Sequence, residues 1–350
     1  NEAELLASAE KRIGLSPLRK ASRKILDAHE LADTQIEDVF DIGDTKGFFF
    51  VGSEREVRDL ESDGNVATIE KDVMVGFSLD PNIKSSLIPT DHGPGTQQAE
   101  YGVSRVGGST DLSNSNVWAF VIDSGVDLDH PDLNIKEAHS KSFIKRKNSD
   151  DEYGHGTHVA GIIGAKDNGI GVVGVAAGVP IVSLRVLDQK GKGFKSSMLK
   201  AIDHIKTICI PGDVVNISLG TGKSQMIHDA ISSLVSTYGV RVVVAAGNKG
   251  MSTKNITPAA MEESGVYIVG AIDQQDNVPD WSNFGQSVYY LAPGVDIYST
   301  YHNGMYASIS GTSMAAPHVA GILLATGGTL NEDGFKIMQD GRAAQIATKN

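Results

Sequence analysis

Three residues in this chain have side chains that could share one reaction: Asp123 in VIDSGVD, His155 in GHGTHVAGIIG and Ser313 in SGTSMAAPHVAG. A serine hydroxyl is a weak nucleophile until a histidine takes its proton. That imidazole in turn needs a carboxylate to fix its tautomer and stabilise its charge. Acyl transfer through a covalent serine intermediate is the chemistry such a trio performs. Taken singly, each residue has a plain structural reading: Asp123 as a helix cap, His155 as a core histidine, Ser313 as an N-cap hydroxyl. His158 is assigned a structural role, because HGTH lacks the HExxH pattern of a metal site. What joins the three is their setting, each in a glycine-flanked loop beside an apolar segment.

Those loops must be held by something rigid. Short β-branched runs at Val117–Val121, Ile181–Val186, Val214–Leu219, Val240–Ala245 and Val266–Val269 alternate with helical patterns at Gly156–Ile163, Lys195–Thr207 and Gln225–Tyr238. Strands apolar on both faces and spaced by helices predict an α/β fold, a parallel sheet covered on both sides. In such sheets, ligands bind at the carboxyl ends of the strands.

Residues 1 to about 78 read as a separate small α+β unit. Ser16-Pro17 opens a helix with proline at its first position, and strands are expected at Asp38–Ile42 and Phe48–Val51. Ser53 with Glu56 forms a capping box for a second helix, and Val66–Val73 reads as a final strand. The irregular stretch that follows, with Pro81, Pro89 and His92-Gly93-Pro94-Gly95, predicts an exposed linker that a protease can cut.

Composition narrows the partners. The 350 residues carry 31 basic and 43 acidic side chains, a net charge of −12. A nucleic acid would need a basic face, so it is excluded as main partner. No apolar run reaches the ~18 to 20 residues that span a bilayer. The single Cys209 excludes an internal disulfide framework and a cysteine-rich zinc site, and reads as a buried packing thiol. The opening NEAELLASAEKRIG has no apolar stretch of the kind that marks a signal peptide.

Asp-Ser-Gly at 123–125, His-Gly-Thr-His-Val-Ala-Gly at 155–161 and Gly-Thr-Ser-Met-Ala-Ala-Pro-His at 311–318 are three long motifs in one order. Over roughly residues 97–325 the chain resembles the subtilisin-like serine proteases, the subtilase family. The resemblance implies a subtilisin-like parallel sheet and a serine endopeptidase acting on protein or peptide substrates. It makes Ser313 the nucleophile, His155 the base, Asp123 its support and Asn248, in Ala-Ala-Gly-Asn, the oxyanion donor. Ser218-Leu219-Gly220 and Ala245-Ala246-Gly247 become the two walls of the substrate cleft, with Ile256 at the floor of an apolar, shallow pocket.

The resemblance also implies a structural calcium ion. Its ligands would be Gln97, Asp132 and Asn168 through side chains and Lys166, Ile170 and Val172 through carbonyls. Residues 1–78 become a prodomain that assists folding and inhibits its own enzyme, 79–96 a linker with the processing region, and 97–350 the catalytic domain. Val73 to Ser78 would lie in the cleft, with the cut falling between Phe77 and Gly95. Such an enzyme is secreted and matures by cutting itself. A peptide ligase or cyclase, or a silent binding protein, would share the same fold. One departure is visible: after Gly321 the family's long apolar helices give way to GGTLNEDGFKIMQDGRAAQ.

Overall fold

The chain divides into two units, Asn1–Asp72 and Val73–Asn350. A computed structural model describes residues 17–29, 36–42, 45–77 and 96–350. The linker expected over 79–96 therefore lies outside the described residues, apart from Thr96.

In the first unit, helix α1 (Pro17–Ala28) precedes an antiparallel pair, β1 (Ile36–Ile42) and β2 (Thr45–Phe50). Helix α2 (Glu54–Glu61) carries the expected capping box, Ser53 and Glu56 each bonding the other's backbone N–H. Leu26, Ile36 and Leu60 are its buried centre, with Phe48, Phe50 and Ile69 packed around them.

The strand expected at Val66–Val73 does not form; the chain becomes a strand only at β3 (Met74–Gly76), inside the second unit. The cause is partnership. A strand needs a neighbour for its N–H and C=O groups, and β3 finds one in β9 (Lys192–Phe194), far away in sequence.

The second unit begins with a short helix, α3 (Tyr101–Arg105), and runs through β4 (Thr110–Asp111), β5 (Ala119–Asp123), β6 (Lys141–Ser142) and α4 (His155–Gly164). Next come β7 (Ala176–Ala177), β8 (Ile181–Arg185), β9, α5 (Lys195–Ile205), β10 (Val214–Ile217), α6 (Gln225–Tyr238) and β11 (Arg241–Ala245). The remainder comprises β12 (Val266–Ile272), β13 (Val288–Pro293), the hairpin β14 (Ile297–Tyr301) and β15 (Met305–Ile309), then α7 (Thr312–Ala325), β16 (Asn331–Ile337) and β17 (Ala343–Thr348).

A nine-stranded sheet runs in the order β16-β17-β13-β12-β11-β10-β5-β8-β6. All its pairings are parallel except β16 with β17. Residues Ala119–Asp123 and Val214–Ile217 are buried throughout, as expected for strands covered on both faces. Helices α4 and α7 pack together, α7 over β10 to β13 and α4 against β5, and bury Val159, Ile163, Met314, Val319 and Leu323.

The polar C-terminal stretch turns out to be strand. β17 adds in parallel to β13, burying Ala344, Ile346 and Ala347, and β16 folds back antiparallel at the sheet's edge. Arg105 ties this hairpin down, bonding Asp276 at 2.8 Å and Asp333 at 2.9 Å.

Candidate active site

Asp123 ends β5, fully buried, where the parallel strands deliver their carboxyl ends. Both of its oxygens accept from His155 Nδ1, at 2.9 and 3.0 Å. His155 is the first residue of α4, and Gly156 is why that helix can start so close to the β5 loop. A Cβ at position 156 would lie 1.9 Å from the Gly125 carbonyl oxygen. The imidazole's orientation is thereby fixed: Nδ1 carries the proton toward Asp123, and Nε2 is the nitrogen left for chemistry.

Ser313 stands in the first turn of α7, 7% exposed. Its Oγ donates to the Ser218 carbonyl and Ser218 Oγ donates to the Ser313 carbonyl, each at 3.2 Å. The loop after β10 and the start of α7 are thus stitched together at the proposed nucleophile. Asn248 follows β11, and its Oδ1 accepts from Thr312 N and Thr312 Oγ1, both at 2.8 Å. With the oxygen so engaged, Nδ2 is the end left to donate. A Cβ at Gly311 would lie 3.1 Å from Asn248 Nδ2 and 3.7 Å from Ser313 N, so both nitrogens border the same space beside Gly311. Such a pair is what a developing oxyanion needs.

One of the segments expected to wall the cleft holds chain already. Gly76 N donates to Gly220 O at 3.2 Å and Gly220 N to Gly76 O at 3.1 Å. On the other side Met74 to Gly76 pair with Phe194 to Lys192, and Lys195 N donates to Val73 O. Residues 73–77 therefore lie as the middle strand between β9 and Gly220. Val75 is buried, and the Phe77 ring lies 3.9 Å from the His155 ring, centroid to centroid. Ser78, the last residue of the segment expected there, lies outside the described residues.

Ala245 and Ala246 are buried at the end of β11, and Gly247 N donates to Thr312 Oγ1. Ile256 lines a pocket together with Gly220, Met251 and Asn255. Exposed Lys190, Lys192 and Lys249 line it as well.

Several supporting side chains had escaped notice in the sequence. Asp151 Oδ1 accepts from Ser124 Oγ, Tyr153 N and Gly154 N, while Oδ2 accepts from Thr157 N and Oγ1. One carboxylate thus anchors the first turn of α4 and the loop bearing Asp123. Buried Arg185 donates to the Asp150 carbonyl and Glu152 on the same loop. Buried Asn283 braces the Asn248 loop through Ala246 O, Lys249 N and Met251 N. A carboxylate a few residues before a helix start is the one signal that could have found Asp151; the other two bond distant backbone and leave no local pattern.

His158 is structural, its Nε2 donating to the Ile297 and Ala307 carbonyls at 3.0 Å and so clamping β14 and β15 to α4. Cys209 is half-buried in the turn after α5, not fully buried in a strand approach; burial pushes its thiol up to about 11, away from reactivity.

Hydrogen bonds link the residues expected to hold calcium around one loop. Asp132 is buried; its Oδ2 accepts from Val172 N and Tyr306 Oη, while Oδ1 is buried with no partner. Burial raises its pKa. Gln97 bridges to the loop, its Oε1 accepting from Asn168 N and Gly169 N. Lys166 points its ammonium to the Pro131 carbonyl. Among the described residues no cluster of three or more His, Cys, Asp or Glu side chains is placed to hold a metal. Asn168 Oδ1 accepts from Ile170 N, so of the expected side-chain oxygens Asp132 Oδ1 is the one left without a hydrogen bond, and a buried carboxylate oxygen in that state is one a hard cation can relieve.

Residues 115–328 match the Subtilase family, Peptidase_S8. Alkaline serine exoprotease A of Vibrio alginolyticus is 35% identical over 83% of this chain and 53% of its own length. Minor extracellular protease Epr of Bacillus subtilis is 37% identical over 75% and 40%. The chain therefore spans about half the length of these relatives, and 69% of Proteinase R of Parengyodontium album, to which it is 34% identical. A crystal structure of a cold adapted subtilisin-like serine proteinase matches with a TM-score of 0.62 at 31% identity, over 72% of this chain and 97% of that one. The chain belongs to the subtilase family. Among the described residues, no helix is long and apolar enough to cross a membrane.

Proposed function

We propose that this chain is the precursor of a serine endopeptidase that cuts peptide bonds and frees itself by cutting its own N-terminal region. Ser313 Oγ attacks the substrate carbonyl carbon as His155 Nε2 takes its proton, and the buried Asp123 stabilises the imidazolium that results. Asn248 Nδ2 and Ser313 N receive the oxyanion. His155 then returns the proton to the leaving amine, and water releases the acyl group by the same route. Ser218 to Gly220 form the wall that pairs with substrate backbone, Ala245 to Gly247 the opposite wall, and Ile256 the floor. Residues 1–78 act as prodomain, 79–96 as the processed linker and 97–350 as the catalytic domain.

The observation that carries the reading is the strand at 73–77, paired with Gly220 and resting on the Asp123-bound histidine. An occupant held by backbone bonds is what an extended substrate or product would be. A peptide continuing that antiparallel register sets its second residue after Gly76 opposite Ser218, whose carbonyl accepts from Ser313 Oγ. In this chain's own sequence that residue is Ser78, so the bond to be cut is Ser78–Leu79. Mass spectrometry of purified wild type should find this cut, and Ser313→Ala should stay whole. A cut in both proteins overturns self-processing; a cut only elsewhere in 77–95 overturns the register.

Asp132 Oδ1, Asn168 and Gln97 side chains and the carbonyls of Lys166, Ile170 and Val172 would hold calcium, which supplies loop rigidity and no chemistry. Secretion is part of the same proposal, supported by a relative named as an extracellular protease.

A further inference from the structure

We infer that Tyr153 and Gly191 form a slot that selects an aromatic side chain at the substrate residue immediately before the one whose carbonyl is attacked. The inference rests on the protease reading above and names its substrate class. Phe77 occupies the slot in this chain. Its ring lies against His155 on one side, at 3.9 Å between centroids, and stacks on Tyr153 at 5.3 Å with the planes 25° apart.

Gly191 completes the seat. A Cβ there would lie 2.8 Å from two Phe77 ring carbons and 3.3 Å from the Tyr153 ring, so any side chain closes the slot. At φ +69° the residue also adopts a backbone conformation that glycine takes without cost. The Tyr153 backbone is itself held: Tyr301 Oη donates to its carbonyl and Asp151 accepts from its N–H. The slot is thus built from a fixed aromatic wall, a missing side chain and the imidazole face of His155.

Its depth along the substrate follows from pairing. Gly76 bonds Gly220, so the next residue, Phe77, precedes the one that reaches Ser218 and the Ser313 hydroxyl beside it. An aromatic ring in this seat gains stacking contact with Tyr153 that an alanine methyl cannot make.

The test uses the self-processed protein and quenched fluorescent peptides spanning residues 73–82, with Phe, Leu or Ala in place of Phe77. For wild type, kcat/KM is expected to favour Phe over Ala by about tenfold, the discrimination that one well-packed ring contact supplies. Tyr153→Ala should shrink that ratio to about threefold or less, Tyr153→Phe should keep it, and Gly191→Ala should reverse it toward the smaller side chain. The readout is the ratio, which a general loss of activity does not move. Equal rates for Phe and Ala peptides in wild type overturn the slot while leaving the protease intact. A Tyr153→Ala enzyme with the wild-type ratio overturns the role of Tyr153. If wild type cuts none of the peptides, the protease reading falls and the slot falls with it.

Discussion

Asn248 illustrates how much one side chain's orientation decides. Its Oδ1 is taken by two donors from Thr312, so the amide cannot flip without losing both bonds, and Nδ2 stays aimed past Gly311. Preorganisation of that kind is what makes an oxyanion donor effective, since no reorganisation is needed as charge develops. Removing such a donor from a subtilisin-like site costs about 10² to 10³ in turnover, and Asn248→Leu is expected to do the same here. Steady-state kinetics should show the fall in kcat with KM nearly unchanged; a loss confined to KM would sink the assignment. Asn248, like Asp123, His155 and Ser313, could be nominated from the sequence because it sits in a long motif of small residues. Asp151, Arg185 and Asn283 were not, because they act on backbone groups that only the folded chain brings near them.

Elements show the same division. Helices α5 and α6 and the central strands were readable from periodicity within a few residues, since burial on one or both faces writes itself into local sequence. The strand β3 was misplaced because its partners, Lys192–Phe194 and Gly220, lie more than a hundred residues away. The hairpin β16–β17 was missed for a related reason. Its outer strand is almost wholly exposed, and the inner one buries a short run, Ala344 and Ile346 to Thr348.

The loop from Lys166 to Val172 is the element whose stability should depend on an ion. Asp132 Oδ1 is buried without a partner, a situation that costs stability unless a cation or a proton relieves it. Calcium added to chelator-treated Ser313→Ala protein is expected to raise the melting temperature. A concentration 100-fold above Kd corresponds to about 2.7 kcal/mol. Asp132→Asn should abolish most of that rise. A melting temperature that ignores calcium in both proteins removes the site.

At the scale of the whole molecule, two buried histidines tie folding to pH. His158 and His318 lie on the packed faces of α4 and α7, and burial lowers their pKa values from 6.5 to about 3 and about 4. Both stay neutral in the folded chain while the unfolded chain takes up protons as pH falls through 6.5. Unfolding therefore binds protons between pH 6.5 and about 3, and stability falls as pH falls through that window. Above 6.5 neither state binds the proton and the effect vanishes. Buried carboxylates oppose this trend: burial raises Asp127 to about 6, and also raises Glu100, Asp132 and Asp213, so the folded chain holds protons that the unfolded chain releases. The histidine contribution must consequently be read as a difference between two proteins that share those carboxylates. His158→Gln in the Ser313→Ala background keeps an N–H to offer the Ile297 and Ala307 carbonyls but cannot take up a proton. Urea denaturation at a series of pH values should show the histidine protein losing stability relative to the glutamine protein below pH 6.5. The slope approaches about 1.4 kcal/mol per pH unit, the limit for one proton. Parallel stability curves from pH 7.5 to 4.5 would mean that His158 takes up its proton without unfolding, and the clamp on β14 and β15 would then not require a neutral ring.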